Sequence, residues 1–181
     1  MSPPTAQMLA KEIQHLRALV EQQRDHIGKL ESRAATHDLV SRYMSLCDVV
    51  DLADPLDIAA AARHIGELFS EDAVWESIGR SEAEFGRLNG RAAIVKLFQG
   101  ADPALRKFQQ NFHLLTTPRI TAQTTSAVAQ FTLLAAVRRA DGESSWRCAR
   151  NTVRCASDEH GQWLIHHFSF ETLGTWSRSS T

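Results

Sequence analysis

The chain has 181 residues, 43% of them hydrophobic and 23% charged, with 20 Lys and Arg against 21 Asp and Glu for a net charge of −1. That is the size of one globular domain with an appendage, and the charge balance speaks against nucleic acid as a partner, because phosphate binding needs a basic excess on at least one face. No apolar run approaches the roughly 20 residues of a membrane span, and Cys47, Cys148 and Cys155 form no CxxC pair or even-numbered framework, so a reduced, cytoplasmic protein is expected.

The first segment reads as one long helix. Leu9, Ile13, Leu16, Val20, Gln23, Ile27, Leu30 and Ala34 alternate at spacings of four and three, with charged and amide residues between them. This is the pattern of a coiled-coil seam, weakened by Gln23 and Gly28. Two readings fit: an amphipathic helix packed on its own domain, or an oligomerisation helix making a homo-dimer or trimer. Residues 1–35 are expected to form this helix, 36–176 the α+β domain, and 177–181 a disordered tail.

A second helix is expected over residues 37–51, with Leu39, Val40, Tyr43, Leu46, Cys47 and Val50 on a broad apolar face. Asp54-Pro55 then reads as an N-cap with proline at the first helical position, opening a helix to about residue 69. Ser70-Glu71-Asp72 breaks it, and residues 73–78 form a short strand. Glycines 79, 86 and 90 mark turns. A short helix over 91–99 ends at Gly100, with Pro103 beyond it. From Phe108 onward the period becomes alternating, giving strands at about 109–122, 125–139, 145–156 and 162–173. Their joints are Thr124-Thr125, Ala140-Asp141-Gly142 and Asp158-Glu159-His160-Gly161, which read as hairpin turns. Helices followed by long antiparallel strands imply an α+β domain, a curved antiparallel sheet covered on one face by helices. Such a cup leaves an apolar cavity suited to a small ligand.

No phosphate loop, GxSxG elbow or dinucleotide glycine signature is present. The eight histidines do not make a metal site: His15, His26 and His37 lie eleven residues apart, and His166 and His167 point to opposite faces of a strand. Cys47 reads as a core thiol. General acid–base chemistry remains. Tyr43 and Asp48 stand in SRYMSLCDVVD, about 140° apart around the helix axis, and His113 opens the β run in QNFHLLTTPRI. Spacing alone does not bring Asp48 to His113, and a lone histidine in an apolar strand is more often structural.

The order of elements and several strings resemble the SnoaL-like branch of the nuclear transport factor 2-like superfamily. The strings are HDLVSRYMSLCDVVD, IGELFSEDAVWES, GRLNGRAAIVKLF, NFHLLTTPRI and SDEHGQWLIHHFSFETL, together spanning about residues 37–173. Within it the likeness is to cofactor-independent lyases of the dehydrochlorinase, bile-acid 7α-dehydratase and scytalone dehydratase type. The resemblance implies a cone-shaped sheet, no cofactor and no metal. It also implies a small hydrophobic substrate, aromatic or cyclic, eliminated through His113 as general base and Asp48 as its supporting acid, with Tyr43 as a hydrogen-bond donor. The dehydrochlorinase pattern has an Arg on the last strand where this chain has Phe168. Arg150 is the expected substitute, on an alternation that faces Cys148, Arg150 and Thr152 inward. Trp75, Leu115, Asn151 and Phe168 are the expected substrate-binding residues. An isomerase or polyketide cyclase with the same cavity, or a non-catalytic ligand-binding module, would use the same fold.

Overall fold

The computed structural model describes residues 5–52, 55–100, 108–139 and 143–178. Asp54, Pro103 and the Ala140-Asp141-Gly142 turn lie outside them, as do residues 179–181. The first element, α1 (Ala6–Leu52), is a single helix of 47 residues where the sequence suggests two. The reason is local: no glycine or proline occurs between Gly28 and Pro55, so nothing interrupts the hydrogen-bond ladder. From Ala6 to Arg24 every position of α1 is exposed. At Gly28 the helix crosses the turn at residues 123–125 so closely that a Cβ would lie 2.6 Å from Thr124 Cγ2. The Ser32 hydroxyl, one turn on, lies 2.7 Å from both the Gly28 and the Thr124 carbonyl oxygens. The C-terminal part of α1 then buries Leu39, Val40, Tyr43, Met44 and Cys47.

Helix α2 (Pro55–Glu67) buries Ala61, Ala62 and Ile65. Strand β1 (Phe69–Ser77) starts earlier than the sequence suggests, and Ser70-Glu71-Asp72 lies inside it. Phe69 is fully buried and pairs with Ile165, and a register shift between Phe69 and Val74 absorbs the polar residues. A 3₁₀ turn (Gly79–Ser81), α3 (Glu82–Phe85) and β2 (Arg87–Asn89) fill the stretch read as turns. Helix α4 (Arg91–Phe98) packs on α2 at Gly66, where no Cβ would fit beside Val95. The long strands are β3 (Phe108–Ala122), β4 (Ser126–Arg139), β5 (Ser144–Ser157) and β6 (Trp163–Arg178), the last running past residue 176.

One sheet of six strands results, in the order β2-β1-β6-β5-β4-β3, with β2 and β3 as its edges. It is therefore curved but unclosed. It is also mixed: β1 runs parallel to β6, while the other neighbours are antiparallel. The parallel pair is possible because the rest of the chain forms the crossover between them. The core lies between the helices and one face of this sheet, where Phe69, Ile65, Ile94, Ile165 and Val153 are fully buried.

Candidate active site

Asp48 lies one turn before the end of α1, and His113 lies on the edge strand β3. Along β3 the side chains alternate: His113 and Leu115 turn toward the core, while Phe112 and Leu114 face out. His113 Nδ1 is 2.6 Å from Asp48 Oδ1, and the His113 backbone N–H donates to the same oxygen at 3.0 Å. A carboxylate oxygen can only accept. Nδ1 therefore carries a proton, and in the neutral ring the lone pair lies on Nε2. The imidazole is 13% exposed and the carboxyl 30% exposed, so the pair is sheltered but within reach of a ligand.

Tyr43 sits five residues before Asp48, about 7.5 Å along the helix, and is buried. Its oxygen accepts a hydrogen bond from Trp75 Nε1 at 2.9 Å. The ring meets Phe168, Phe69 and Phe98 edge-on, with centroids 5.0, 5.5 and 6.1 Å away. Burial, with the Cys47 thiol beside it, holds the phenol well above its ordinary pKa against the opposing pull of Trp75. It is thus a neutral phenol that keeps its proton. Trp75 stacks on Phe168 at 6.0 Å and tilts against Phe170 at 5.2 Å, making one aromatic wall. Leu115 packs on the same core.

On β5 the inward positions are odd-numbered: Ala149, Asn151, Val153 and Cys155 are all buried. Asn151 accordingly lies inside, its Nδ2 3.4 Å from the Ala149 carbonyl. Arg150 does not. It is 64% exposed on the opposite face, 3.7 Å from Glu171, and the alternation expected from the sequence is wrong by one residue, which moves every side chain to the other face. The inward cation is Arg147. Its guanidinium lies over the rings of Phe85 and Phe170 at 5.5 and 5.4 Å, and its Nε and Nη2 donate to Thr172 Oγ1 at 3.0 and 2.7 Å. Strand register aligns His113 with Ala135 and Ala135 with Arg147. Base and cation thus stand in one row, about 10 Å apart at Cα, with only a methyl group between them. The frame of small and apolar residues at 149, 153 and 155, with Arg150 and Arg154 out of phase with it, is the signal that marks Arg147 as inward.

Among the described residues no group of three or more His, Cys, Asp or Glu side chains could hold a metal ion. His167 instead bonds Glu76 at 2.7 Å, and Glu76 pairs with Arg87 at 2.8 Å. A separate surface cavity of about 300 Å³, lined by Asp38, Arg42, Glu67, Gln162 and Trp163 among others, contains none of the residues above. Among the described residues no helix is long and apolar enough to cross a membrane.

The profile of a family described as the SnoaL-like domain matches residues 28–169. No curated protein matches. Among solved structures, hexachlorocyclohexane dehydrochlorinase from Novosphingobium barchaimii superposes with a TM-score of 0.68 at 16% identity, covering 86% of this chain and 96% of that one. A protein assigned as a scytalone dehydratase from Novosphingobium aromaticivorans gives 0.67 at 17% identity, covering 86% and 93%. A nuclear transport factor 2-like protein with a cystatin-like fold from the same organism gives 0.61 at 20% identity, covering 95% and 92%. These likenesses establish the nuclear transport factor 2-like fold.

Proposed function

We propose that this chain, which belongs to the SnoaL-like domain family, is a cofactor-independent lyase acting on a small hydrophobic substrate, aromatic or cyclic. The observation that carries the reading is the 2.6 Å contact between His113 Nδ1 and Asp48 Oδ1, which leaves Nε2 as the available base. In the proposed reaction Nε2 takes a proton from a carbon of the substrate. The C–H electron pair becomes the new carbon–carbon double bond, and the neighbouring carbon loses its substituent together with the bonding pair. Asp48 holds the ring and stabilises the imidazolium, as a supporting carboxylate does in hydrolase triads. Arg147, in place of the Arg150 expected from the resemblance, stabilises the negative charge that builds on the leaving group. Tyr43, a neutral phenol, is the hydrogen-bond donor for a leaving oxygen. A halide departs as the anion, and a hydroxyl departs as water by taking up the proton that Nε2 has accepted.

Trp75, Phe85, Phe168 and Phe170 pack on one another as one aromatic cluster, a surface that suits an apolar ring. Two structures of the same fold carry the names of eliminating enzymes, a dehydrochlorinase and a dehydratase, which supports elimination over isomerisation. The test is a panel of halogenated and hydroxylated cyclic compounds followed by mass spectrometry. A product lighter by hydrogen halide or water is expected, and a product of unchanged mass makes the protein an isomerase. His113→Gln and Asp48→Asn should each lower turnover by about 10² or more. Near-full activity in both variants would exclude the pair as the proton-transfer machinery.

A further inference from the structure

The heptad stripe of α1 is the face its own domain does not use. Leu9, Ile13, Leu16, Val20, Ile27 and Leu30 are each 47–53% exposed. The helix meets the domain through Gly28, Ser32, Thr36 and Leu39, which lie roughly opposite that stripe around the axis. The family match begins at residue 28, and contact with the domain begins at Asp25, which accepts a hydrogen bond from Thr124 Oγ1 at 3.4 Å. The segment before it is an extension that the domain neither covers nor stabilises, although helices in proteins draw most of their stability from packing.

We propose that residues 6–34 form a parallel, in-register, two-stranded coiled coil with the same segment of a second copy of this chain. The spacing puts Ile13, Val20 and Ile27 at the a positions and Leu9, Leu16 and Leu30 at d. β-Branched residues at a with leucine at d favour two strands over three or four. Gln23 occupies the remaining d position. In a parallel, in-register pair it meets the partner's Gln23, and the two amides bond each other. In an antiparallel pair it would be buried against a valine or isoleucine with its amide unsatisfied, which is costly.

The flanking charges agree. Parallel strands bring each g residue to the e residue five positions later on the other chain, so Glu12 faces the partner's Arg17 and Arg33 faces the partner's Asp38. His26 faces the partner's Glu31, and Leu19 lies beside the aliphatic stem of the partner's Arg24. No like-charged pair arises.

Sedimentation equilibrium on the full chain tests the proposal. The wild-type chain should sediment at twice its 20.2 kDa, and Ile13→Asp/Val20→Asp should halve that mass. The substituted side chains are exposed in the single chain, so the domain's melting transition should be retained. Orientation is tested by Leu16→Cys, which in a parallel pair meets its own copy and forms a disulfide-linked dimer on mild oxidation, with the wild-type chain beside it as control for the native cysteines. A wild-type mass of one or three chains, an unchanged mass in the double variant, or a Leu16→Cys chain that stays uncrosslinked would overturn the proposal.

Discussion

A single oxygen of Asp48 receives both the ring and the backbone N–H of His113. The carboxylate therefore orients the imidazole and pins the strand that carries it. Asp48→Asn keeps an accepting oxygen in place and removes the charge, which is why it should slow turnover without displacing β3. Arg147 and Arg150, two of the three arginines of β5, provide a paired comparison within one strand. Arg147→Ala removes the inward guanidinium and should lower turnover by about 10². Arg150→Ala removes one exposed partner of Glu171 and should leave turnover unchanged, as surface ion pairs contribute little. Measuring both variants on one substrate checks the assignment, and a loss confined to Arg150→Ala would reverse it. Asp48 and His113 are 65 residues apart. Their proximity could not be read from spacing, because it depends on how far α1 leans over β3, and only the family resemblance implied it.

Element boundaries were legible wherever a periodicity changed or a glycine stood between two patterns. The four long strands illustrate this. The missed features have tertiary causes. Gly28 looked like a weak point in a helix, since glycine costs about 1 kcal/mol there, yet its bare backbone is what admits Thr124. The inward phase of β5 was set by packing, and no residue type alone declares it. The joint between α1 and the sheet should be measurable. Ser32 is buried, and its hydroxyl bridges two carbonyl oxygens. Ser32→Ala leaves the Thr124 carbonyl without that donor and should cost about 1 kcal/mol, read as a lower urea midpoint with an unchanged slope. An unchanged midpoint would mean that α1 is held by its apolar face alone.

At the scale of the whole molecule, the fold class followed from the order of helices and strands, whereas the parallel pairing of β1 with β6 did not. It joins elements at opposite ends of the domain, and no local signal records such a contact. Global stability should also report on two buried acids. Burial pushes Cys155 from 9.0 up to about 12 and raises Tyr43 well above its ordinary 10.0. In both cases the folded state holds the proton more tightly. Their contribution is fully present below the unfolded pKa values, and it falls as pH rises from about 9 toward 12 for Cys155 and above 10 for Tyr43. Stability should therefore decline across that range. Because Tyr43 is the only tyrosine, its phenolate absorbance should emerge in step with loss of the near-ultraviolet tryptophan signal. A phenolate appearing near pH 10 with that signal intact would show the hydroxyl to be open to solvent.

The unbroken course of α1 carries a constraint on how this chain can change in length. One helix bears both the heptad stripe and Asp48, so the angle between them is fixed by the number of intervening residues. Inserting one residue between Ala34 and Leu39 would swing the stripe by about 100° relative to the carboxylate. Inserting seven would turn it by only about 20°. Seven would, however, also carry Gly28 and Ser32 about 10.5 Å along the axis from Thr124, so angle and joint together hold the length of that stretch, and the domain and its extension must evolve in phase.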